Sequence, residues 1–339
     1  MKKASVDIWF DFANPPHVNL FRPIFYHYSD FGSTFYCTAK NFAETIGLLD
    51  KYQIDYHLFG KHAGRNRFRK VMALLSRNLE MIANIPNFRI CICSSFEAVQ
   101  ISWLKRRTSV MFDDNEIAPN WLYAKFVSHV ITPSVIDKKL FVRNGIAERK
   151  IIRYNGFKED IYLADYEPDP AFLKIMPFCD FVTVRPENIY ASYVSKNASS
   201  ITGDLIQALL NSGYKILYLP RYEIDYSYVD KKNTNIFIPS SPLNGLDVCY
   251  YSQAVLTGAG TFAREAALLG TPAVSFFAGE TLLSVDQALI KENKMYYSRD
   301  IRSILSFLRN TRKREFNQNK SRAVQQQVFS LIDDILYKC

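Results

Sequence analysis

The sequence predicts an α/β protein with two doubly wound parallel sheets. Short apolar runs rich in β-branched residues alternate with longer stretches of helical periodicity, a pattern typical of parallel sheets covered by helices. The alternation stops between residues 154 and 170, where an Asn-Gly pair and two prolines interrupt it, and then begins again. A chain of 339 residues is long enough to bury two separate cores.

In the first half, predicted strands and helices follow one another closely. Strands are predicted at 6–10, 34–38, 56–59, 89–93, 109–112 and 129–132. Helices are predicted at 17–28, 42–52, 68–84, 96–105 and 120–127. Ligands of open α/β sheets bind outside the carboxyl ends of the strands, so we expect the functional residues at that edge.

The second half repeats the pattern. Strands are predicted at 180–184, 215–219, 235–238, 254–256 and 273–277, and helices at 201–211, 262–269, 301–309 and 323–337. We predict an N-terminal domain at 1–155 and a C-terminal domain at 156–315, facing each other across a central cleft. The last segment, 316–339, is predicted to form a helix that crosses back to the first domain.

The most informative segment is a glycine loop between a predicted strand and a predicted helix. It reads Thr257-Gly258-Ala259-Gly260-Thr261, with Thr261 as the expected N-cap and Glu265 one turn into the helix. Small residues let the backbone approach a ligand, and the free N–H groups of a helix N-terminus favour an anion such as a phosphate. Glycines that only form a βα turn are the alternative, since a lone Gly-x-Gly is a weak signal.

A histidine follows the first predicted strand, in Asn14-Pro15-Pro16-His17. Histidine suits a general base near neutral pH, and Asp11 is close enough in sequence to orient His17 or to act as the base itself. A structural histidine at the start of a helix is the alternative.

Arg185 directly follows the first predicted strand of the second half. A guanidinium at this edge pairs well with a diphosphate, because its planar donors match two phosphate oxygens. A surface salt bridge with Glu187 is the alternative.

An acidic cluster follows strand 109–112 and contains Asp113, Asp114 and Glu116. Three carboxylates in four residues could hold a divalent cation through oxygen ligands. We favour a loop that contacts an acceptor or a neighbouring arginine, and we predict no metal site.

The net charge of +9 lies entirely in the first half. Residues 1–155 hold 22 Lys and Arg against 13 Asp and Glu, whereas the remainder holds 20 of each. The densest basic patch comprises Lys61, Arg65, Arg67, Arg69, Lys70 and Arg77. Apolar residues interleave with it, as in a helix that lies on an anionic membrane surface. A solvated helix packed on its own domain is the main alternative. We predict no nucleic-acid partner, because no recognisable nucleic-acid motif is present.

These segments resemble the donor half of GT-B glycosyltransferases and of the related UDP-N-acetylglucosamine 2-epimerases. The whole chain also resembles a prokaryotic family of glycosyltransferase-like proteins catalogued as a domain of unknown function. The motifs that carry this resemblance are Asn14-Pro15-Pro16-His17, Arg185-Pro186-Glu187, Gly258-Ala259-Gly260, Arg264-Glu265-Ala266-Ala267 and Leu269-Gly270-Thr271-Pro272. The resemblance implies two Rossmann-like domains in a GT-B arrangement.

The resemblance also implies roles for individual residues. The donor-binding set is Arg185, Gly258, Ala259, Gly260, Thr261, Glu265, Asp286 and Gln287. Within it, the loop and Arg185 would meet a diphosphate, Glu265 the ribose, and Asp286 and Gln287 the sugar. His17 and Asp11 are the catalytic candidates, and Asn14, Asp113, Asp114 and Glu116 are the acceptor-side candidates.

The expected function is transfer of a sugar from a nucleotide-diphosphate donor to an acceptor that is lipid-linked or a cell-surface glycan precursor. A nucleotide-sugar 2-epimerase and a non-catalytic nucleotide- or carbohydrate-binding module are the alternatives. We expect the nucleotide sugar to be a substrate, with no resident cofactor. Because no segment has the pattern of a leader or a membrane span, we expect a cytoplasmic protein, with peripheral contact at the inner face of the membrane as an option.

Overall fold

The computed structural model describes residues 5–60, 67–187 and 199–338, with the backbone alone described from 67 to 75. The chain divides into two units. The first unit comprises Met1–Asp165 and Lys320–Cys339, and the second comprises Tyr166–Asn319. Each unit is built around one parallel sheet, which confirms the predicted fold class.

The first unit has a seven-stranded sheet in the order β3-β2-β1-β4-β5-β6-β7. Its strands are β1 Ser5–Phe12, β2 Phe35–Ala39, β3 His57–Leu58, β4 Asn87–Cys93, β5 Thr108–Phe112, β6 His129–Pro133 and β7 Ile151–Tyr154. Its helices are α1 Pro15–Asp30, α2 Thr45–Lys51, α3 Arg67–Asn84, α4 Phe96–Leu104, α5 Trp121–Ala124, α6 Lys138–Arg143, α7 Lys158–Leu163 and, from its third residue on, α13 Gln318–Lys338. The strand order reverses between β1 and β4. The loops that follow these two strands therefore run to opposite sides of the sheet and leave a crevice at its carboxyl edge.

The second unit has a six-stranded sheet in the order β10-β9-β8-β11-β12-β13. Its strands are β8 Val182–Arg185, β9 Ile216–Tyr218, β10 Ile236–Phe237, β11 Ala254–Thr257, β12 Ala273–Ser275 and β13 Met295–Tyr297. Its helices are α8 Thr202–Asn211, α9 Gly245–Tyr251, α10 Gly260–Leu268, α11 Ser284–Lys291 and α12 Ile301–Asn310. β8 and β11 are neighbours with a switch in strand order between them, which places their carboxyl ends at the usual ligand-binding position of such a sheet.

The predicted linker between residues 154 and 170 is wrong in part. Helix α7 occupies its middle and packs on α1, so the first unit runs to Asp165 instead of ending at 155. Gly156 marks a close approach rather than a hinge, since a Cβ built there would lie 2.4 Å from Cγ2 of Val324. The small residue is therefore required by the packing of α13.

Helix α13 belongs to the core of the first unit from Lys320 onward. Val324, Val328 and Ile332 are buried in the same apolar cluster as the residues of β1. The Tyr28 hydroxyl also donates to the Asp333 carboxylate over 2.7 Å. Across the described parts of the chain, no helix has both the length and the apolar character needed to cross a membrane.

Candidate functional site

The glycine loop lies at the carboxyl end of β11 in the second unit. The Gly258 N–H donates to the Arg185 carbonyl over 3.2 Å, which joins this loop to the end of β8. A Cβ at Gly258 would lie 2.5 Å from Cα of Glu187, so no side chain fits there. Close approach of two backbone segments therefore accounts for Gly258 without any ligand.

Helix α10 begins two residues earlier than the sequence predicts. Ala259 is the N-cap and Gly260 the first helical residue, so the prediction that Thr261 caps the helix is wrong. The Thr257 hydroxyl accepts the Ala259 N–H over 3.0 Å, which holds the loop so that the helix can start at once. Thr261 lies in the first turn, and its hydroxyl accepts from Nη2 of Arg264 over 3.2 Å.

Arg185 has a cationic side chain that forms no ion pair with any other residue of the described part of the chain. Its guanidinium lies over the Phe262 ring, 5.4 Å from the ring centroid, and its Nε is buried with no hydrogen-bond partner among the described residues. The predicted alternative, a salt bridge with Glu187, is not formed. Stacking on the first turn of α10 places this cation beside a helix N-terminus, where an anion is favoured.

Glu187 serves the local fold instead. Its buried carboxylate accepts from Nη1 of Arg299 over 3.1 Å and from the hydroxyls of Ser200 and Thr202, each over 2.6 Å. These bonds hold the chain between β8 and α8 against the segment that connects β13 to α12.

Glu265 and Arg185 both lie near the Cys249 thiol. Burial raises the pKa of this thiol well above its usual range, the Glu265 carboxylate raises it further, and Arg185 lowers it. The sequence predicts that these two residues belong to one donor site. In the structure, both charges lie close enough to Cys249 to shift the pKa of its thiol. Glu265 is 6% exposed, so its carboxylate is deeply set.

Asp286 is already paired within the second unit. Nη1 of Arg264 donates to its carboxylate over 3.0 Å, and both side chains are buried. Gln287 donates from Nε2 to the Leu282 carbonyl over 2.8 Å. Sequence reasoning missed Arg264 as a partner of Asp286, although a charged pair of residues, Arg264 and Glu265, in the middle of a mostly apolar helix was a signal that both charges must find buried partners.

Asp11 lies at the carboxyl end of β1 in the first unit and is completely buried. One carboxylate oxygen accepts from the Thr38 hydroxyl over 2.7 Å and from Nη2 of Arg77 over 3.0 Å. The other accepts from the Ser95 hydroxyl over 2.5 Å. Both oxygens are thus held by groups from β2, α3 and the N-cap of α4.

Arg77 does not belong to the basic surface patch to which the sequence assigned it. It is 2% exposed, pairs with Asp11 and Glu97, and donates from Nε to the Phe59 carbonyl over 3.1 Å. Burial raises the pKa of Glu97, and the Arg77 charge opposes that shift. Lys61 and Arg65 of the predicted patch lie outside the described residues, and the side chains of Arg67, Arg69 and Lys70 are likewise not described.

His17 lies in the first turn of α1, with Asn14 as the N-cap of that helix. Its Nδ1 is buried without a hydrogen-bond partner in the described residues. Burial lowers the pKa of His17 to about 4, the Asp11 and Asp114 carboxylates raise it, and Lys158 lowers it. The imidazole is therefore neutral at pH 7. Two carboxylates and one ammonium group lie close enough to change its pKa.

The predicted acidic cluster does not act as one group. Asp113 accepts from the Tyr123 hydroxyl and from the Asn115 N–H, and burial raises its pKa to about 7. Asp114 accepts from Nζ of Lys158 over 2.7 Å. No three His, Cys, Asp or Glu side chains come together as metal ligands anywhere in the described portion. Lys158 is a charged neighbour of His17 that the sequence did not reveal, because it comes from the segment taken as a linker.

Two Rossmann-like units with parallel sheets define an α/β protein of the GT-B class, and solved structures of that class match almost the whole chain. UDP-GlcNAc 2-epimerase from Methanocaldococcus jannaschii, in complex with UDP-GlcNAc and UDP, matches with a TM-score of 0.71 and 13% identity, over 96% of this chain and 99% of that one. The enzyme from Neisseria meningitidis bound to UDP-GlcNAc matches with a TM-score of 0.70 and 11% identity, over 98% and 100%. Anabaena Alr3699/HepE in complex with UDP and glucose matches with a TM-score of 0.61 and 15% identity, over 98% and 100%.

The chain belongs to the family described as protein of unknown function (DUF354), whose model matches residues 6–339. Uncharacterized protein MJ0665 of Methanocaldococcus jannaschii is 25% identical over 324 residues, which cover 90% of this chain and 91% of that protein. These matches confirm the expected fold and the expected family of unknown function. They give no activity to the family.

Proposed function

We propose that the protein is a metal-independent GT-B glycosyltransferase that moves a sugar from a nucleotide-diphosphate donor to an acceptor. The observation that carries the proposal is Arg185, a cation that stacks on the first turn of α10 and whose buried Nε has no hydrogen-bond partner among the residues that the structure describes. A leaving nucleotide diphosphate gains negative charge as the glycosidic bond breaks. A preorganised guanidinium and a helix N-terminus stabilise that charge.

The donor site is proposed on the second unit. The diphosphate would contact Arg185 and the first turn of α10, which includes Gly260 and Thr261, and the Glu265 carboxylate would accept from the ribose hydroxyls. Asp286, held by Arg264, would accept from hydroxyls of the sugar. The solved structures of the same fold that contain UDP support a nucleotide sugar as the substrate class.

The acceptor side is proposed on the first unit, with His17 as the base. Its neutral imidazole can take the proton of an attacking hydroxyl at pH 7, since burial keeps its pKa near 4 in the free protein. The imidazolium formed in the reaction would be stabilised by the Asp11 and Asp114 carboxylates. Asp11 itself is the weaker candidate for a base, because three donors already hold its two oxygens.

The acceptor that we propose is lipid-linked or a precursor of a cell-envelope polysaccharide. The support is the excess charge of +9 in residues 1–155, which favours an anionic partner such as a lipid diphosphate. No resident cofactor and no nucleic acid enter this proposal, and it places the reaction in the cytoplasm.

Thermal unfolding in the presence of a panel of nucleotides and nucleotide sugars tests the donor site. A ligand that binds only the native state stabilises it by about 2.7 kcal/mol at a hundredfold excess over its Kd. We expect one nucleotide diphosphate to raise the melting temperature of the wild type and of Glu292→Ala, an exposed control, but not of Glu265→Ala. If no nucleotide raises it in the wild type, the donor site is refuted.

A nucleotide-sugar 2-epimerase is the second candidate, and one observation favours it. Asp113, with a pKa near 7, and His17 belong to the same unit and supply an acid and a base of the kind that proton transfer at a sugar carbon needs. Incubation of UDP-GlcNAc in deuterated water without acceptor separates the two reactions. Deuterium at C2 of the sugar would establish the epimerase. In a separate assay with a broad panel of acceptors, binding of the nucleotide sugar without turnover would indicate a binding module.

A further inference from the structure

A patch of exposed apolar and cationic side chains lies on the first unit, at the end of α4 and just after α5. We call it the Trp103 surface, and it comprises Trp103, Leu104, Arg106, Arg107, Lys125 and Phe126. Trp103 is 53% exposed and Leu104 is 56% exposed. Arg106, Arg107 and Lys125 are exposed beside them. Leaving a tryptophan and a leucine together in water is unfavourable, so this surface has the features of an interaction site.

The backbone under the Trp103 surface is fixed by hydrogen bonds. The Arg107 N–H donates to the Ser102 carbonyl over 2.8 Å, and the Lys105 N–H donates to the Ile101 carbonyl over 2.9 Å. Arg106 adopts a left-handed conformation with φ of 55°, which turns the chain sharply after α4. Two adjacent guanidinium groups are therefore presented right after the two exposed apolar residues.

The two chain segments of the surface are joined to each other. Nε2 of Gln100 donates to the Leu122 carbonyl over 2.9 Å, and the Trp103 and Phe126 rings meet edge to face with centroids 5.0 Å apart. One face of the Trp103 side chain is supported by Phe126, while about half of it is open to solvent. The aromatic group is thus held in an outward position by its neighbours.

The charge of this surface has one sign. Residues 100–107 and 121–128 contain four cations, Lys105, Arg106, Arg107 and Lys125, and no Asp or Glu. Tryptophan is enriched at membrane–water interfaces, because its ring is apolar and its indole N–H is a donor. Cations beside such a ring are attracted to anionic lipid headgroups.

We propose that the Trp103 surface docks the protein on an anionic lipid bilayer. Trp103 and Leu104 insert at the headgroup level, and Arg106, Arg107 and Lys125 contact lipid phosphates. Helix α3, which includes Arg67, Arg69 and Lys70 of the predicted basic patch, packs beside α4, but docking does not require it. The Arg77 charge of that helix is buried and takes no part.

The position of this surface leaves the candidate acceptor side open. Helix α4 starts at the carboxyl edge of the sheet, where its N-cap Ser95 contacts Asp11, and ends at Leu104, next to Trp103, toward the opposite edge. The inference goes beyond the proposed function, because docking requires no sugar transfer.

Sedimentation with vesicles tests the proposal on the full chain. We expect the wild type to bind vesicles of phosphatidylcholine with phosphatidylglycerol at least about tenfold more tightly than phosphatidylcholine alone, and to dissociate at about 0.5 M salt. Trp103→Ser with Leu104→Ser, and separately Arg106→Asn with Arg107→Gln, should each weaken binding about tenfold or more. The matched controls are Ile224→Ser and the pair Lys231→Asn with Lys232→Gln, all exposed in the second unit.

Fluorescence quenching by brominated lipids locates the contact. We expect quenching in the wild type and in Trp121→Phe, and loss of most of it in Trp103→Phe, a variant that keeps an apolar ring. Equal binding by wild type and surface variants would overturn the proposal. A dimer that Trp103→Ser dissociates, without vesicle binding, would overturn it in favour of a protein interface. The nucleotide-dependent melting shift, measured on the same variants, reports the donor site separately.

Discussion

Arg264 and Asp286 form a buried ion pair, with Nη1 of the arginine 3.0 Å from the carboxylate. The pair joins α10, the helix that starts at the glycine loop, to α11. Arg264 also donates to the Thr261 hydroxyl, so one side chain fixes the first turn of α10 and the carboxylate proposed to hold the sugar. Burying both charges is costly, and a pair of this kind is kept in place by its mutual hydrogen bonds.

Arg264→Gln should therefore affect the sugar more than the nucleotide. Without its partner, the Asp286 carboxylate loses its fixed position, and we expect the Kd of the nucleotide sugar to rise about tenfold while that of the nucleotide diphosphate changes little. Isothermal titration calorimetry with the nucleotide sugar and with the nucleotide diphosphate measures the two Kd values. Lys291→Gln on the exposed side of α11 is the control, and equal losses for both ligands would contradict the assignment.

Gly258→Ala should destabilise the second unit. The new Cβ would meet the Glu187 backbone at 2.5 Å, and overpacking of this kind costs about 1–3 kcal/mol. Gly47→Ala is the matched control, because nothing lies within 4 Å of its Cβ position and Ala favours the helix by up to about 1 kcal/mol. Urea unfolding of both variants measures the free energies. A Gly258→Ala variant as stable as the wild type would show that the two loops separate easily.

Arg77→Met should destabilise the first unit strongly. The substitution leaves the Asp11 carboxylate buried without its cation, and breaking a buried pair costs about 3–5 kcal/mol. Arg89→Met provides the comparison, since the interactions of Arg89, a pair with Asp7 at 3.9 Å and a hydrogen bond from Nη2 to the Leu336 carbonyl, are exposed to solvent and their loss should cost less than about 1 kcal/mol. Chemical unfolding monitored in the far ultraviolet gives both values, and equal costs would refute a structural role for the Asp11 cluster.

His17 should make the protein less stable in mild acid. Its folded pKa of about 4 lies below the unfolded value of 6.5, so the unfolded chain binds the proton more tightly. The stability that the neutral imidazole contributes is present above pH 6.5 and is lost as the pH falls toward 4, by about 2 kcal/mol between pH 7 and pH 5. His17→Gln should therefore gain about 2 kcal/mol of stability at pH 5 relative to pH 7 when its pH profile is compared with that of the wild type, which unfolding curves at both pH values reveal. Parallel pH profiles of variant and wild type would contradict the shift.

Asp113 should have the opposite effect. Its folded pKa of about 7 lies above the unfolded value of 3.8, so the folded chain holds the proton more tightly. The stability that the protonated carboxyl contributes is present at low pH and is lost as the pH rises toward 7, by about 2 kcal/mol from pH 5. Asp113→Asn should remove this contribution, so that the variant loses about 2 kcal/mol between pH 7 and pH 5 relative to the wild type. In the wild type the His17 and Asp113 effects nearly cancel, so each becomes visible only when the other is substituted.

Several local features could be predicted from the sequence, because they follow from the periodicity of apolar residues and from turn chemistry. The β11–loop–α10 unit was predicted from an apolar run, two glycines and a helical repeat, and the structure has it within two residues. The helix start was displaced because Thr257, at the end of the strand, supplies the acceptor that fixes the loop. Strand β13 and helices α9 and α11 were not predicted, because all three are short. The strand has only three residues and each helix has about two turns, so neither kind of element shows a clear apolar period.

By itself, the sequence determined the alternation of strands and helices, the position of the glycine loop and the excess of positive charge in the first half. These depend on residues close together in the chain. Only the tertiary structure decided which charges are paired. Arg77 is 66 residues from Asp11, and Arg264 is 22 residues from Asp286. A buried charge must find a partner wherever the fold provides one, and sequence distance does not reveal which partner that is.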